Sequence, residues 1–279
     1  MPNLVYLNSK YIPFKDAKIP IEDRGFQFSD SVYEVVKVIN KKILDFDFHI
    51  RRLKFSTSEL KFNFKVNSIL LKKIFENLII KNKLSNGIIY FQITRGVQSR
   101  EHAYRKNLKP NVIIYTAKKK FNLPNKNFKG FKAITYPDIR WGRPDIKTTS
   151  LLANIIASTE AKKNGAYEAI LVKKKKITEA SHSNIWIVKG KKIITHPANK
   201  EILKGVTRTV LINIIHSLDL KLIEKEFSLN ELYKSDEVFV TSSGSLVTPI
   251  IQIDNIKINN KKIGKITKTL ALSFYKSII

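Results

Sequence analysis

Cysteine is absent from the 279 residues. Disulfides, thiolate nucleophiles and sulfur-ligated metals are therefore excluded, and the composition suits a reducing cytoplasm. Long apolar runs are also missing: none reaches the about 20 residues that span a bilayer. From Met1 to Ala17 the apolar pieces are broken by Asn8, Lys10, Lys15 and Asp16, unlike a secretory leader. These absences point to a soluble, cytoplasmic protein with no membrane partner. Acidic residues are scarce, 23 against 51 Lys and Arg, giving a formal charge of +28. Such a charge raises nucleic acid as a partner. Arginine, however, is scarce too. Nine arginines stand beside 42 lysines, and arginine is the residue that nucleic-acid interfaces favour for bidentate contacts. The bases are scattered in pairs such as Lys41-Lys42 and Lys191-Lys192, which reads as solvated surface and not as a nucleic-acid site.

What is present is enough for a globular core: 43% of the residues are hydrophobic, and the length allows one large domain or two ordinary ones. Leu4 to Leu7 and Tyr11 to Phe14, separated by Asn8-Ser9, predict a hairpin. Val32 to Ile39 is β-prone and turns at Asn40-Lys41 into Ile43-Leu44. Asp47 caps a predicted helix to Leu60, with Ile50, Leu53 and Phe55 inward, and Asn67 to Asn82 forms a second, with Leu70, Ile74 and Leu78 in step. Strands over Gly87 to Thr94 and Asn111 to Thr116 complete an α+β unit in residues 1–117. Residues 118–129 read as a connection. Residues 130–279 form a second α+β unit: strands at Ala133 to Tyr136, Glu168 to Val172, Ile185 to Val188, Ile193 to His196 and Glu237 to Thr241. Its helices span Thr149 to Asn164, capped by Thr148 or Thr149 and ended by Gly165, then Thr207 to Leu218 and Ile263 to Ser277. The Lys173 to Lys176 run is an exposed hairpin turn.

Residues that could carry chemistry are only suggested locally. Lys147 follows Arg140 and Arg143 in a loop stiffened by Pro144, and nearby cations favour the neutral amine that covalent carbonyl chemistry needs. A surface lysine in a basic loop is the simpler reading of those residues alone. Leu203-Lys204-Gly205-Val206-Thr207-Arg208 enters a helix and makes a plausible phosphate cradle, or an ordinary cap. Thr241-Ser242-Ser243-Gly244 is a second such cradle. Glu179, between apolar neighbours, needs a partner if buried. Arg100 and His102 alternate in a polar loop and can point the same way as a carboxylate clamp. His49, His182 and His196 share no ligand spacing, so no metal site is expected.

Taken in order along the chain, the segments say more. They are Glu22-Asp23-Arg24-Gly25-Phe26-Gln27-Phe28, Val32-Tyr33-Glu34-Val35-Val36-Lys37-Val38, His49-Ile50-Arg51-Arg52-Leu53 and Tyr90-Phe91-Gln92-Ile93-Thr94-Arg95-Gly96. Asp138-Ile139-Arg140-Trp141, Asp145-Ile146-Lys147, Thr178-Glu179-Ala180-Ser181, Asn184, the Leu203 to Arg208 run and Phe239-Val240-Thr241-Ser242 follow. The chain resembles bacterial D-amino acid aminotransferases, within the fold-type IV pyridoxal-phosphate enzymes, from about Glu22 to Gly264. The Arg100-x-His102 pair carries the resemblance to the D-amino acid branch.

That resemblance implies a two-domain α+β architecture with pyridoxal 5'-phosphate at the domain interface, and transamination between D-amino acids and 2-oxo acids by a ping-pong route. It implies that Lys147 is the catalytic residue and carries the cofactor, with Glu179 facing the pyridine nitrogen. Arg52, Val206, Thr207, Ser242 and Ser243 would hold the phosphate, Leu203 would pack on the ring and Arg140 would lie near its polar edge. Tyr33, Arg100 and His102 would receive the substrate carboxylate, the last two from the neighbouring subunit of a homodimer. Three departures from the family pattern bear on substrate choice: Ser29 and Ser31 replace glycines, His182 replaces a small serine on the cofactor's side, and Gly244 replaces a threonine near the phosphate. A branched-chain aminotransferase, an aminodeoxychorismate lyase and an amine transaminase are the alternatives within the superfamily, and a basic nucleic-acid-binding protein is the one outside it.

Overall fold

Two patterns of hydrophobic residues, one of period two and one of period 3.6, divide the chain into strands and helices that form two units in the computed structural model. Residues 3–121, 124 and 128–278 are described. The first unit comprises Met1–Phe121 with Ile146–Ser150, the second Asn122–Asp145 with Leu151–Ile279. Part of the connection expected at residues 118–129 lies outside the described residues.

In the first unit, β1 (Leu4–Leu7), β2 (Lys10–Pro13), α1 (Arg24–Phe28), β3 (Ser31–Ile39), β4 (Lys42–Ile43), α2 (Phe46–Glu59), α3 (Ser68–Lys81), β5 (Gly87–Thr94) and β6 (Val112–Lys118) follow one another. Six strands form an antiparallel sheet in the order β2-β1-β6-β5-β3-β4. Along β3, Val32, Val36 and Val38 are buried, and they share a core with Ile50 and Leu53 of α2 and Leu71, Ile74, Phe75 and Leu78 of α3. The α3 start is as expected, Asn67 accepting from the Leu70 amide. Two helix faces differ from expectation. Phe55 and Leu70 face solvent, because the inward stripes run through Leu53 and Ser56 and through Leu71, Ile74, Phe75 and Leu78. The α2 N-cap is Asp45 in a left-handed conformation, with Asp47 in the first turn, where its charge still favours the helix start.

The second unit contains β7 (Phe131–Pro137), α4 (Leu152–Lys163), β8 (Glu168–Lys173), β9 (Lys176–Ala180), β10 (Asn184–Lys189), β11 (Lys192–Thr195) and α5 (Val206–Ser217). It continues with β12 (Lys221–Glu224), β13 (Phe227–Ser228), α6 (Leu229–Tyr233), β14 (Glu237–Ser242), β15 (Leu246–Ile253), β16 (Ile256–Lys257) and α7 (Lys265–Lys276). Its sheet runs β12-β11-β10-β14-β15-β7-β8-β9-β13, with β16 on β15. The parallel pairs β7–β8 and β11–β12 are each joined through a helix, α4 and α5, as parallel connections require. Lys174 and Lys175 form the exposed hairpin turn expected of the lysine run, both with positive φ. The helix expected from Thr149 begins instead at Leu152, with neither Thr148 nor Thr149 as cap. Those residues are held in extended form by β3: Thr148 bridges Val32, and the Thr149 amide donates to the Ser31 carbonyl at 3.2 Å. β3 thereby draws Ile146–Ser150 into the first unit.

Candidate active site

Lys147 lies on that extended segment, tied at both backbone ends. Its amide donates to Ser56 Oγ at 3.2 Å, and its carbonyl accepts from the Tyr33 amide at 3.0 Å. The side chain is partly exposed, with Nζ 4.2 Å from the centre of the Tyr33 ring. Tyr33 in turn stacks on Tyr90, and Tyr90 on Tyr115, at 5.7 and 5.0 Å between ring centres. The helical period puts His49, Arg52, Leu53 and Ser56 on one face of α2. There Arg52 meets the buried Glu34, with Nε to Oε1 at 2.8 Å and Nη2 to Oε2 at 2.7 Å, while His49 Nδ1 lies 2.6 Å from Oε2. Burial would raise the Glu34 carboxyl, but the Arg52 guanidinium and the Arg52 and His49 hydrogen bonds hold it at about 2. Burial lowers the His49 imidazole.

In the second unit, Glu179 on β9 is buried among fixed donors. Its Oε1 accepts from Arg140 Nη1 and, at 3.1 Å, from the Leu203 amide; Oε2 accepts from Asn184 Nδ2 at 2.9 Å. Asn184 also donates to the Leu203 carbonyl at 2.8 Å, so one amide sets both the carboxylate and the leucine. Arg140 is gripped from its other side by Asp138, which also accepts from Thr178 Oγ1 at 2.7 Å. Burial pushes the Glu179 carboxyl up to about 7 against the pull of Arg140. For Asp138, where burial also acts upward, the Arg140 and Thr178 donors win and hold it below the usual carboxylate range.

Beside Leu203, α5 starts at Gly205 with no side-chain cap, leaving its first amides to an outside acceptor. A Cβ on Gly205 would come within 2.1 Å of Asn184 Oδ1, so glycine is required by this close approach. Thr207 Oγ1 is buried and has no hydrogen-bond partner among the described residues. An uncapped helix start with an orphaned hydroxyl has the donors that an anion needs. Ser242 ends β14 and exchanges a hydrogen bond with Ser245 Oγ at 2.7 Å; Ser243 is partly exposed.

Arg100 and His102 extend from the long connection between β5 and β6, and both side chains are exposed. Both approach the Phe28 ring, the Arg100 guanidinium at 5.2 Å and the His102 ring at 5.6 Å.

The family model for class IV amino-transferases matches residues 31–253. This chain is a class IV aminotransferase. Its relatives include the D-alanine aminotransferase of Listeria monocytogenes, 36% identical over 276 residues, with 98% of this chain and 96% of that protein covered. The D-alanine aminotransferase of Staphylococcus aureus (strain MSSA476) is 35% identical over 278 residues, covering 98% and 97%. Among solved structures, the branched-chain aminotransferase of Escherichia coli superposes with a TM-score of 0.91 at 22% identity, covering 99% of this chain and 94% of that one. A second branched-chain aminotransferase, from T.th. and solved with pyridoxamine 5'-phosphate, gives a TM-score of 0.91 at 21% identity, covering 99% and 94%. The α+β fold is thus that of the aminotransferases.

Within each unit of this aminotransferase, several expected residues come together: Lys147 with Tyr33 in the first, Glu179 with Arg140 and Leu203 in the second. Arg140 and Arg143 are not bare cations, since Asp138 and Glu179 hold the former and Asp145 the latter at 2.9 Å. The electrostatic argument from them to Lys147 therefore loses its basis. His182 is half-exposed, its Nδ1 3.2 Å from the buried Glu168. His196 meets Glu201 and Glu226, ligand atoms lying within 4.8 Å of one another, a grouping that helical spacing could not reveal. Glu201 is already paired with Lys173 at 3.0 Å. Glu34, Asp138 and Asn184 join the expected site residues only through the fold. Glu34 alternates with Tyr33 along β3, and an acid amid β-branched residues is the one signal that marks it.

Proposed function

We propose that the protein is a D-alanine aminotransferase that uses pyridoxal 5'-phosphate to move amino groups between D-amino acids and 2-oxo acids. The full-length likeness to D-alanine aminotransferases carries this reading. The residues suit the cofactor on two observations. The orphaned Thr207 hydroxyl at the uncapped start of α5 suits a phosphate. Glu179, poised near neutrality by burial, suits a cationic ring nitrogen that would settle it as a carboxylate. When bound, pyridoxal phosphate forms a reversible covalent link with amino groups and draws electrons into its ring.

Lys147 is the residue assigned to carry the cofactor, and its free amine would hold and move the proton at the substrate Cα. Tyr33, against its Nζ, limits the directions in which that amine can point. In the second unit the Val206 and Thr207 amides, the Thr207 hydroxyl, Ser242 and Ser243 would hold the phosphate; in the first unit, Arg52 is assigned to it. Leu203 would pack on the ring, and Arg140 and Asn184 fix the Glu179 carboxylate. Tyr33, Arg100 and His102 take the substrate carboxylate, and His182 faces the substrate with its imidazole steadied by Glu168. A homodimer is part of this reading, with Arg100 and His102 serving the neighbouring subunit. Its support is their exposure, together with the exposed Ile21 and Phe26 of the adjoining segment. A cytoplasmic location is also part of it, in keeping with a chain that has no cysteine; among the described residues no helix is long and apolar enough to cross a membrane.

The test is the visible spectrum of the purified protein during sequential additions. D-alanine should bleach the cofactor absorbance and 2-oxoglutarate should restore it. A colourless protein that gains no absorbance with added pyridoxal phosphate contradicts the reading, as does a preference for L-leucine.

A further inference from the structure

α1 is only five residues long, yet its Arg24 joins Asp30 to the backbone of the connection after β5. Arg24 is 4% exposed. Its Nε donates to Asp30 Oδ2 at 2.9 Å, Nη1 to the Glu101 carbonyl at 2.6 Å and Nη2 to the His102 carbonyl at 2.9 Å. The guanidinium also lies 4.8 Å from the centre of the Phe28 ring, the ring that Arg100 approaches as well. The connection from Arg95 to Asn111 has no helix or strand of its own. Loops longer than about 12–15 residues hold one shape only when tied down. Here the ties converge on the segment that begins at Glu22. The Arg24 amide donates to the Gly96 carbonyl at 2.9 Å, and Gln98 closes the loop on itself through the Ala103 carbonyl and the Arg105 amide, both at 2.9 Å.

We propose that Arg24 is the positioning residue for the substrate-carboxylate clamp, fixing Arg100 and His102 by gripping the backbone carbonyls of residues 101 and 102. The inference rests on the assignment of Arg100 and His102 as that clamp. The chemistry favours arginine specifically. A planar fork reaches a carboxylate along one edge and two successive carbonyls along the other, whereas a lysine ammonium is a point donor on a flexible stem. With those carbonyls pinned, two exposed and otherwise mobile side chains leave a rigid base in fixed directions. Geometry set in this way matters, since displacing a binding group by about 1 Å can cost a factor of roughly 10² in rate.

The experiment uses the holoenzyme with D-alanine and 2-oxoglutarate, and compares Arg24→Lys, Arg100→Ala and the double variant. Arg24→Lys should raise the KM for D-alanine roughly tenfold or more while changing kcat less. It should add little to the loss already caused by Arg100→Ala, because both changes disable one device. Hydrogen exchange of Arg24→Lys should quicken at residues 98–105 and in the adjoining segment 24–30, which Arg24 ties through Asp30, and not in the rest of the protein. The assignment is overturned if Arg24→Lys behaves as wild type, if the two losses multiply, or if protection falls throughout the protein. An Arg100→Ala variant with wild-type activity removes the clamp itself, and is told apart from these outcomes because it needs no change at Arg24.

Discussion

Glu34 receives Arg52 edge-on, Nε at 2.8 Å and Nη2 at 2.7 Å, with both side chains withdrawn from solvent. An ion pair so placed is costly to break, because the partner left behind stays buried and uncompensated. It also has a definite pH signature. Glu34 is held at about 2 against an ordinary 4.5, so its contribution is complete above pH 4.5 and is lost as pH falls towards 2. His49, lowered from 6.5 by burial, takes up protons more readily unfolded, so its contribution is lost as pH falls below 6.5. Both effects make acid destabilising. Glu34→Gln should cost about 3–5 kcal/mol near neutrality and flatten the decline below pH 4.5. Urea midpoints from about pH 7.5 downwards check this, and a variant as stable as wild type at the upper end contradicts it.

Thr207 gives a prediction whose sign differs between cofactor-free and loaded protein. Its hydroxyl is buried without a partner among the described residues, so Thr207→Val should leave the melting temperature of the cofactor-free form unchanged or slightly higher. If Thr207 holds the phosphate as proposed, the same change would remove a hydrogen bond worth about 1.5–3 kcal/mol, or roughly ten- to a hundredfold in cofactor affinity. Titration with pyridoxal phosphate measures it. Equal affinity in the two proteins would place the phosphate elsewhere.

The charge of +28 should prove to be surface composition. Anisotropy of labelled duplex DNA at about 0.15 M salt should report binding no tighter than about micromolar, without effect on transamination. Tight binding that competes with D-alanine turnover would instead restore a nucleic-acid role.

Strands with strong local signals were readable from the sequence. β3 is rich in β-branched residues, β5 alternates, and Asn67 marks the start of α3. β15 escaped because Pro249 stands inside it, a residue that argues against a strand wherever a ladder amide is needed. β9 escaped because it is short and carries Glu179, an acid that belongs inside only because Arg140, Asn184 and the Leu203 amide meet it there. The start of α4 was misplaced because Thr148 and Thr149, good caps in isolation, are claimed by β3. The site was legible mainly through motif order. Lys147 is one of 42 lysines, and no local property separates it; its ties to Ser56 and Tyr33 are long-range and appear only in the fold. Glu34 and Asn184 act through other side chains, and such partnerships leave no spacing to read.

If Lys147 alone carries the cofactor, borohydride reduction of the yellow holoenzyme followed by peptide mapping will show it. One pyridoxyl group is expected, on the peptide containing Lys147, and none after prior treatment with D-alanine. A pyridoxyl group on any other of the lysines, or an unlabelled Lys147, contradicts it.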